Sequence, residues 1–345
     1  MASSVPPQPS IKTPRSLLVI SAVALLISCF HAKATDIPQG AGDKCGREPS
    51  IWDTYAAVPG KGAPGRCSLA PPFGPCPAGN SSIEPYIVGH NFILAHAAAA
   101  KLYKENYQAE QGGQIGIVVV GEFMEPLTDT EDDKAAAERY LDFLFGWHLE
   151  PLIFGDYPKS MREIVQVRLP TFTEEEKKLI KGSLDFIGVN YYTSRYAYKA
   201  DPVEPKHYLG DFLAKITTRS GYVYSYPIGL QKLLEFMKIK YENPTIYITE
   251  NGIPEANMAN RTVNEAVNDQ FRIDFIRRHL HYTNQAIKNG VNVKGYFYWS
   301  LFDNFEWALG YTVRYGLYYI DYNDNLKRIP RKSALWFSNF LNDTA

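Results

Sequence analysis

Glu250 closes the run Thr245-Ile-Tyr-Ile-Thr-Glu-Asn-Gly252. Ile246 to Thr249 are β-branched or aromatic, which favours a strand. Asn251-Gly252 then turns the chain away. A carboxylate at the end of a buried strand is costly unless it has partners or a task. In α/β barrels the catalytic groups stand at the C-terminal ends of strands. Glu250 is thus the leading candidate for a nucleophile. Two other stretches set polar and aromatic side chains at the ends of apolar runs: Asn190-Tyr-Tyr-Thr193 and Trp299-Ser-Leu-Phe-Asp-Asn-Phe-Glu-Trp307. On residue type alone, Trp299 and Trp307 read first as core aromatics, and Glu306 as an ion-paired or surface acid.

The elements between these stretches must position them. Glu84-Pro85 opens a helix through about Tyr107, rich in alanine and with apolar residues at helical spacing. Gln114 to Val120 reads as a buried strand, and Thr130 to Phe145 as a helix with an acidic first turn. Pro151 to Pro170 reads as a loop with a short helix, and Thr173-Glu-Glu-Glu176 as a small helix with a capping box. Then come a strand over Ser183–Asn190, a long loop over 195–226, a helix over Ile228–Tyr241 and the Glu250 strand. One amphipathic helix over Asn264–Asn289, a strand over Val293–Ser300, a hairpin arm over Tyr315–Asp321 and a helix over Pro330–Leu341 complete the chain. Alternation of strand and helix predicts a parallel α/β architecture. Four strands are legible, 114–120, 183–190, 244–250 and 293–300, where a closed barrel needs eight.

The chain has 345 residues, 45% of them hydrophobic, enough for a sizeable core. Its formal net charge of −1 gives no electrostatic case for nucleic acid or an anionic membrane. The 24 tyrosines belong either to a Tyr-rich core and surface or to flat faces on which sugar rings stack. Lys12 and Arg15 precede the apolar run Ser16 to Phe30, and Ala32-Lys-Ala34 supplies a small-residue cleavage pattern. Residues 1–34 therefore read as a secretory signal peptide, leaving no membrane partner once it is removed. Of four cysteines, Cys29 lies in that leader. Cys67 and Cys76 close a short Pro- and Gly-rich loop that an oxidising compartment would bridge, and Cys45 is left over. Sequons at Asn80, Asn260 and Asn342 fit the same compartment.

Taken together, the motifs resemble the plant β-glucosidases of glycoside hydrolase family 1. Tyr247-Ile-Thr-Glu-Asn-Gly252 resembles their nucleophile motif, and Trp299 to Trp307 their sugar-binding motif. Ser50-Ile-Trp-Asp-Thr54, Pro64-Gly-Arg-Cys67, Glu84-Pro-Tyr-Ile87 and Asn190-Tyr-Tyr-Thr193 resemble further signatures. The resemblance implies a TIM (β/α)8-barrel over 35–345, here incomplete, that hydrolyses β-glucosides by a retaining double displacement. It implies that Glu250 attacks the anomeric carbon and that Tyr192 hydrogen-bonds it. It also implies that Glu306 binds sugar hydroxyls, that Trp299 and Trp307 line the glycone site, and that no cofactor or metal takes part. The expected destination is the secretory pathway, ending in the cell wall or the vacuole.

The chain also departs from that pattern. A retaining glycosidase needs a second carboxyl group about 5–5.5 Å from the nucleophile. The family carries it in a Thr-x-Asn-Glu-Pro motif, which this sequence lacks. Tyr55 and Pro64 nearly abut where the family has strands two to four, so a shortened form with impaired or no hydrolysis is expected. Glu84 reads as a helix N-terminal acid. Glu122, at the end of the first strand, could supply partial acid function. The remaining strands would have open edges through which the chain self-associates. The alternative reading is a non-catalytic sugar- or partner-binding protein.

Overall fold

The computed structural model describes residues 66–68, 76, 78–217 and 223–342. The expected leader, Cys29, Cys45 and the Trp52-Asp-Thr-Tyr55 segment lie outside these residues. Helix α1 (Glu84–Asn106) starts with Pro85 in its first turn and buries Tyr86, Ile93, Ala97 and Ala100 along one face. Strand β1 (Gly116–Pro126) follows. Helix α2 (Glu131–Leu141) is capped by Thr130, whose hydroxyl accepts from the amide of Asp133. Next come α3 (Trp147–Phe154), α4 (Lys159–Val165) and α5 (Glu174–Ile180), the last with the expected capping box between Thr173 and Glu176.

Strands β2 (Phe186–Lys199) and β3 (Ala214–Ile216), helix α6 (Pro227–Lys240) and strand β4 (Ile246–Asn251) come next. They are followed by β5 (Glu255–Ala256), α7 (Val263–Val267), α8 (Gln270–Lys288) and β6 (Val293–Tyr296). The chain then forms β7 (Val313–Arg314), which pairs with β5, and a hairpin of β8 (Tyr318–Asp321) and β9 (Lys327–Pro330). Helix α9 (Lys332–Leu341) is the last described element.

The four expected strands form one parallel sheet in the order β1-β2-β4-β6, and β3 adds antiparallel to the far end of β2. Ile117, Val119, Ile187, Val189, Ile246 and Ile248 point to one face and are buried in the main core. Residues paired in register share a face. Val118, Gly188 and Tyr247 therefore share the other one. Among the described residues no helix is long and apolar enough to cross a membrane.

Several expected boundaries move. Strands β1 and β2 run past Val120 and Asn190 as a two-stranded ribbon, in register from Phe123 and Ser194 to Pro126 and Ala197. Part of the expected 195–226 loop is therefore strand, because Ala197, Tyr198 and Lys199 find partners in β3. The helix expected to end at Phe145 continues through a π-wound turn over Asp142–Gly146 into α3, burying Pro151. The single helix expected over Asn264–Asn289 is two helices. Asp269 breaks it, because its buried carboxylate takes the amide and hydroxyl of Ser333 and pairs with Arg272. Strand β6 stops at Tyr296, yet its continuation still follows β4, with the amides of Phe297 and Trp299 donating to Ile248 and Asn251.

The segment after β6 is held by one buried carboxylate. Asp303 pairs with Arg314 at 2.6 Å and Arg331 at 3.0 Å, and accepts from the amides of Gly316 and Ile320. Arg314 also donates to the carbonyl of Ile320 and, through Nε, to Asn257 Oδ1, and Arg331 donates to the carbonyls of Gly316 and Ala266. Removing one member of such a group leaves a charge buried without its partner, at a cost of about 3–5 kcal/mol. Arg331→Ala is accordingly expected to lower the thermal unfolding midpoint sharply, whereas Arg328→Ala, at an exposed position of β9, is expected to leave it nearly unchanged. Equal midpoints for the two variants would refute the account.

Candidate active site

Glu250 reaches its position through an irregularity in the sheet. Val189 pairs with Ile248, but Asn190 pairs with Glu250, so β4 carries one extra residue, Thr249, at this point. A one-residue shift turns the following side chain to the opposite face. It brings Glu250 onto the face of Tyr247 and Asn190, away from the helices. The phenol of Tyr192 donates to Glu250 Oε2 at 2.5 Å. Thr249 donates its hydroxyl to Asn190 Oδ1 at 2.6 Å, leaving the Asn190 amide N–H to donate to Glu250. Gly252 makes the exit turn possible: a Cβ there would lie 2.0 Å from the carbonyl oxygen of Trp299.

Glu306 and Trp299 join the same site. Trp299 Nε1 donates to Glu306 Oε1 at 3.1 Å, and Glu306 is 6% exposed. The ring of Tyr315 meets that of Tyr192 edge-on at 5.9 Å. Trp307 stands apart in burial, 56% exposed, on a short 3₁₀ turn that begins just after Glu306. Burial raises the Glu250 carboxyl above its ordinary range and the like charge of Glu306 adds to this, while the hydrogen bonds from Tyr192 and Asn190 oppose it. Burial also raises Glu306, against hydrogen bonds from Trp299 and Asn304. The Tyr192 phenol is pushed upward by burial and then by the Glu250 charge, so it stays a donor.

This arrangement holds a desolvated carboxylate in place with two donors, beside a second acid and aromatic surfaces. That is the equipment of a nucleophile in a pocket for a polyhydroxylated ligand. Asn190 belongs to the Asn190-Tyr-Tyr-Thr193 motif, but its sequence alone does not reveal its part in holding Glu250. The roles of Thr249, Tyr315 and Asp303 were missed as well. The threonine before the acid was the one available signal, since a hydroxyl beside a strand-end carboxylate can anchor its neighbour across the sheet.

Other sequence candidates fall elsewhere. Glu122 is engaged by Arg195, Nε to Oε2 at 3.2 Å, and burial raises its carboxyl against that pairing. Glu84 sits in the first turn of α1 and pairs with Arg66. Cys67 and Cys76 form a disulfide and are buried. Asn80, Asn260 and Asn342 are all exposed. Among the described residues no group of three or more His, Cys, Asp or Glu side chains could hold a metal ion.

The opposing influences on Glu250 predict opposite shifts in its titration. Tyr192→Phe removes a donor that favours the carboxylate, so the Glu250 midpoint is expected to rise. Glu306→Gln removes a like charge, so the midpoint is expected to fall. Carbon-detected NMR of glutamate-labelled protein, assigned with Glu250→Gln, would read both. Shifts of the same sign would contradict this description of the site.

Comparison with known proteins places this geometry. The family model described as Glycosyl hydrolase family 1 matches residues 68–344. "Beta-glucosidase 24" of Oryza sativa subsp. japonica is 50% identical over 294 residues, covering 81% of this chain and 58% of that protein. "Furcatin hydrolase" of Viburnum furcatum is 48% identical over 304 residues, covering 84% of this chain and 55% of that protein. The solved rice Os3BGlu6 β-glucosidase superposes with a TM-score of 0.76 at 42% identity, over 80% of this chain and 61% of that one. A β-glucosidase from the fungus Humicola insolens, solved with glucose, gives a TM-score of 0.72 at 37% identity, over 77% of this chain and 59% of that one. The chain thus spans a little over half the length of the curated relatives it matches. It belongs to glycosyl hydrolase family 1 and carries part of that family's TIM-barrel fold.

Proposed function

We propose that this chain binds β-glucosides and that Glu250 attacks their anomeric carbon. The observation that carries the reading is the 2.5 Å hydrogen bond from Tyr192 to Glu250 on a face shared with Asn190. In the step, a Glu250 oxygen forms a bond to the anomeric carbon. The bond from that carbon to the aglycone oxygen breaks, and its electron pair leaves with the aglycone. Water then attacks the same carbon, losing a proton to solvent, and releases Glu250 as carboxylate, the retaining course. Glu306 takes hydroxyl hydrogens of the sugar, and Trp299 and Trp307 line its binding site. Tyr192 holds Glu250 ionised and aimed.

The departing oxygen ordinarily needs a proton. The sequence has no Thr-x-Asn-Glu-Pro segment to give it, and Glu122 is occupied by Arg195. The first step is therefore confined to glucosides whose aglycone leaves as a stable anion. Ordinary alkyl glucosides are expected to turn over very slowly. The buried disulfide and the three exposed sequons support a secretory compartment.

Trapping tests the assignment. Incubation with 2,4-dinitrophenyl 2-deoxy-2-fluoro-β-glucoside is expected to add one fluoroglucosyl group to the peptide containing Glu250, read by mass spectrometry, and Glu250→Gln is expected to abolish it. Tyr192→Phe is expected to slow labelling at neutral pH about ten- to a hundred-fold, the worth of one charge-assisted hydrogen bond. A folded chain that binds glucose yet takes no label would overturn the catalytic reading in favour of sugar binding alone.

A further inference from the structure

An all-parallel sheet is normally covered on both faces, because its strands supply apolar side chains to each. Here the helices cover one face. The other carries Val118, Val120, Gly188, Tyr247 and Gly295, together with Phe297 just beyond β6. Val120 is 43% exposed and Phe297 47% exposed, whereas Tyr247 between them packs edge-on against Phe186 and is buried, so the face is bare on its flanks. Among the described residues, no strand pairs with the outer edge of β1 or of β6. Those two edges present unpaired amides and carbonyls of the same parallel geometry.

We infer that this bare face is covered by a second copy of the chain, two half-barrels closing into one eight-stranded barrel. The strand order β1-β2-β4-β6 ends in two different edges. A two-fold axis parallel to the strands preserves strand direction. It sets β6 of one copy beside β1 of its partner, and β1 beside the partner's β6, so every new ladder is parallel. Any two-fold axis perpendicular to the strands would reverse one set and break the parallel pattern. Four strands from each copy make eight, the number at which interior side chains fill a barrel. Both edges are used and none remains, so the assembly stops at two copies. The formal charge of −1 per chain sets little repulsion against association. Closure also completes the wall of the site. Both copies direct the C-terminal ends of their strands to the same rim, so each Glu250 faces residues of the partner rather than open solvent. This assembly does not depend on whether Glu250 reacts with a glycoside.

The test uses the full chain at micromolar concentration. Sedimentation velocity is expected to give a species of twice the chain mass of 39.0 kDa. Amides of 116–121 and 293–296 are expected to exchange slowly with deuterium. Val120→Lys puts a charge inside the closed barrel while sitting at an exposed site of the half-barrel. It is expected to give a monomer with fast exchange at both edges, whereas Leu335→Lys on the outside of α9 is expected to remain dimeric. As a second arm, Val120→Cys and Phe297→Cys chains mixed with a short bis-maleimide are expected to cross-link to each other well above the unsubstituted chain. A monomer with protected edges would mean that the face is covered from within the same chain, and would overturn the inference. A monomer with fast-exchanging edges, open-ended larger assemblies, or no excess cross-linking would each overturn it too.

Discussion

One extra residue in β4 decides what this sheet can do. Without the shift at Thr249, Glu250 would alternate onto the helix side and be buried among Ile248, Val189 and their neighbours. With it, the carboxylate meets Tyr192 and Asn190 on the same side as Tyr247. The irregularity is held by the hydroxyl of the extra residue itself, which takes up Asn190 Oδ1. Position, hydrogen bonding and ionisation of Glu250 thus follow from a single register change between two neighbouring strands.

A second constraint acts from further along the chain. Glu306 lies on an irregular segment that has no strand or long helix to stiffen it. Asp303 replaces that stiffness, drawing Arg314 and Arg331 into a buried group that ties the segment to β7 and to the residue preceding α9. The site is therefore rigid where its backbone is irregular. It is open where the sheet lacks a covering layer, a contrast that separates support of the pocket from enclosure of it.

Much of this was legible in the sequence, for reasons that are local. The Glu250 strand, the capping box at Thr173, the Cys67–Cys76 bridge and the four parallel strands each rest on neighbouring residues or a simple period. What escaped was set by partners remote in the chain. The break at Asp269 depends on Ser333. The extension of β2 depends on Ala214–Ile216. The orientation of Asn190 depends on which residue of β4 falls beside it. No pattern within a short window encodes those choices, because they are decided by register and by which buried polar group reaches which donor.

The strand order has a consequence for how the structure is built. Spatial order follows chain order: β1, β2, β4 and β6 each dock beside the strand formed before them. No strand has to enter between two that are already paired. Each pairing joins residues tens of positions apart, so every addition must close a long loop before it gains a ladder. The chain can assemble outward from β1 as it emerges from the ribosome, one strand and its covering helix at a time. Within the parallel sheet β6 is added last, and the segment bearing Glu306 follows it. The pocket thus forms late, and a nascent chain stalled before Val293 would already hold Glu250 at the edge of its sheet with no wall beside it.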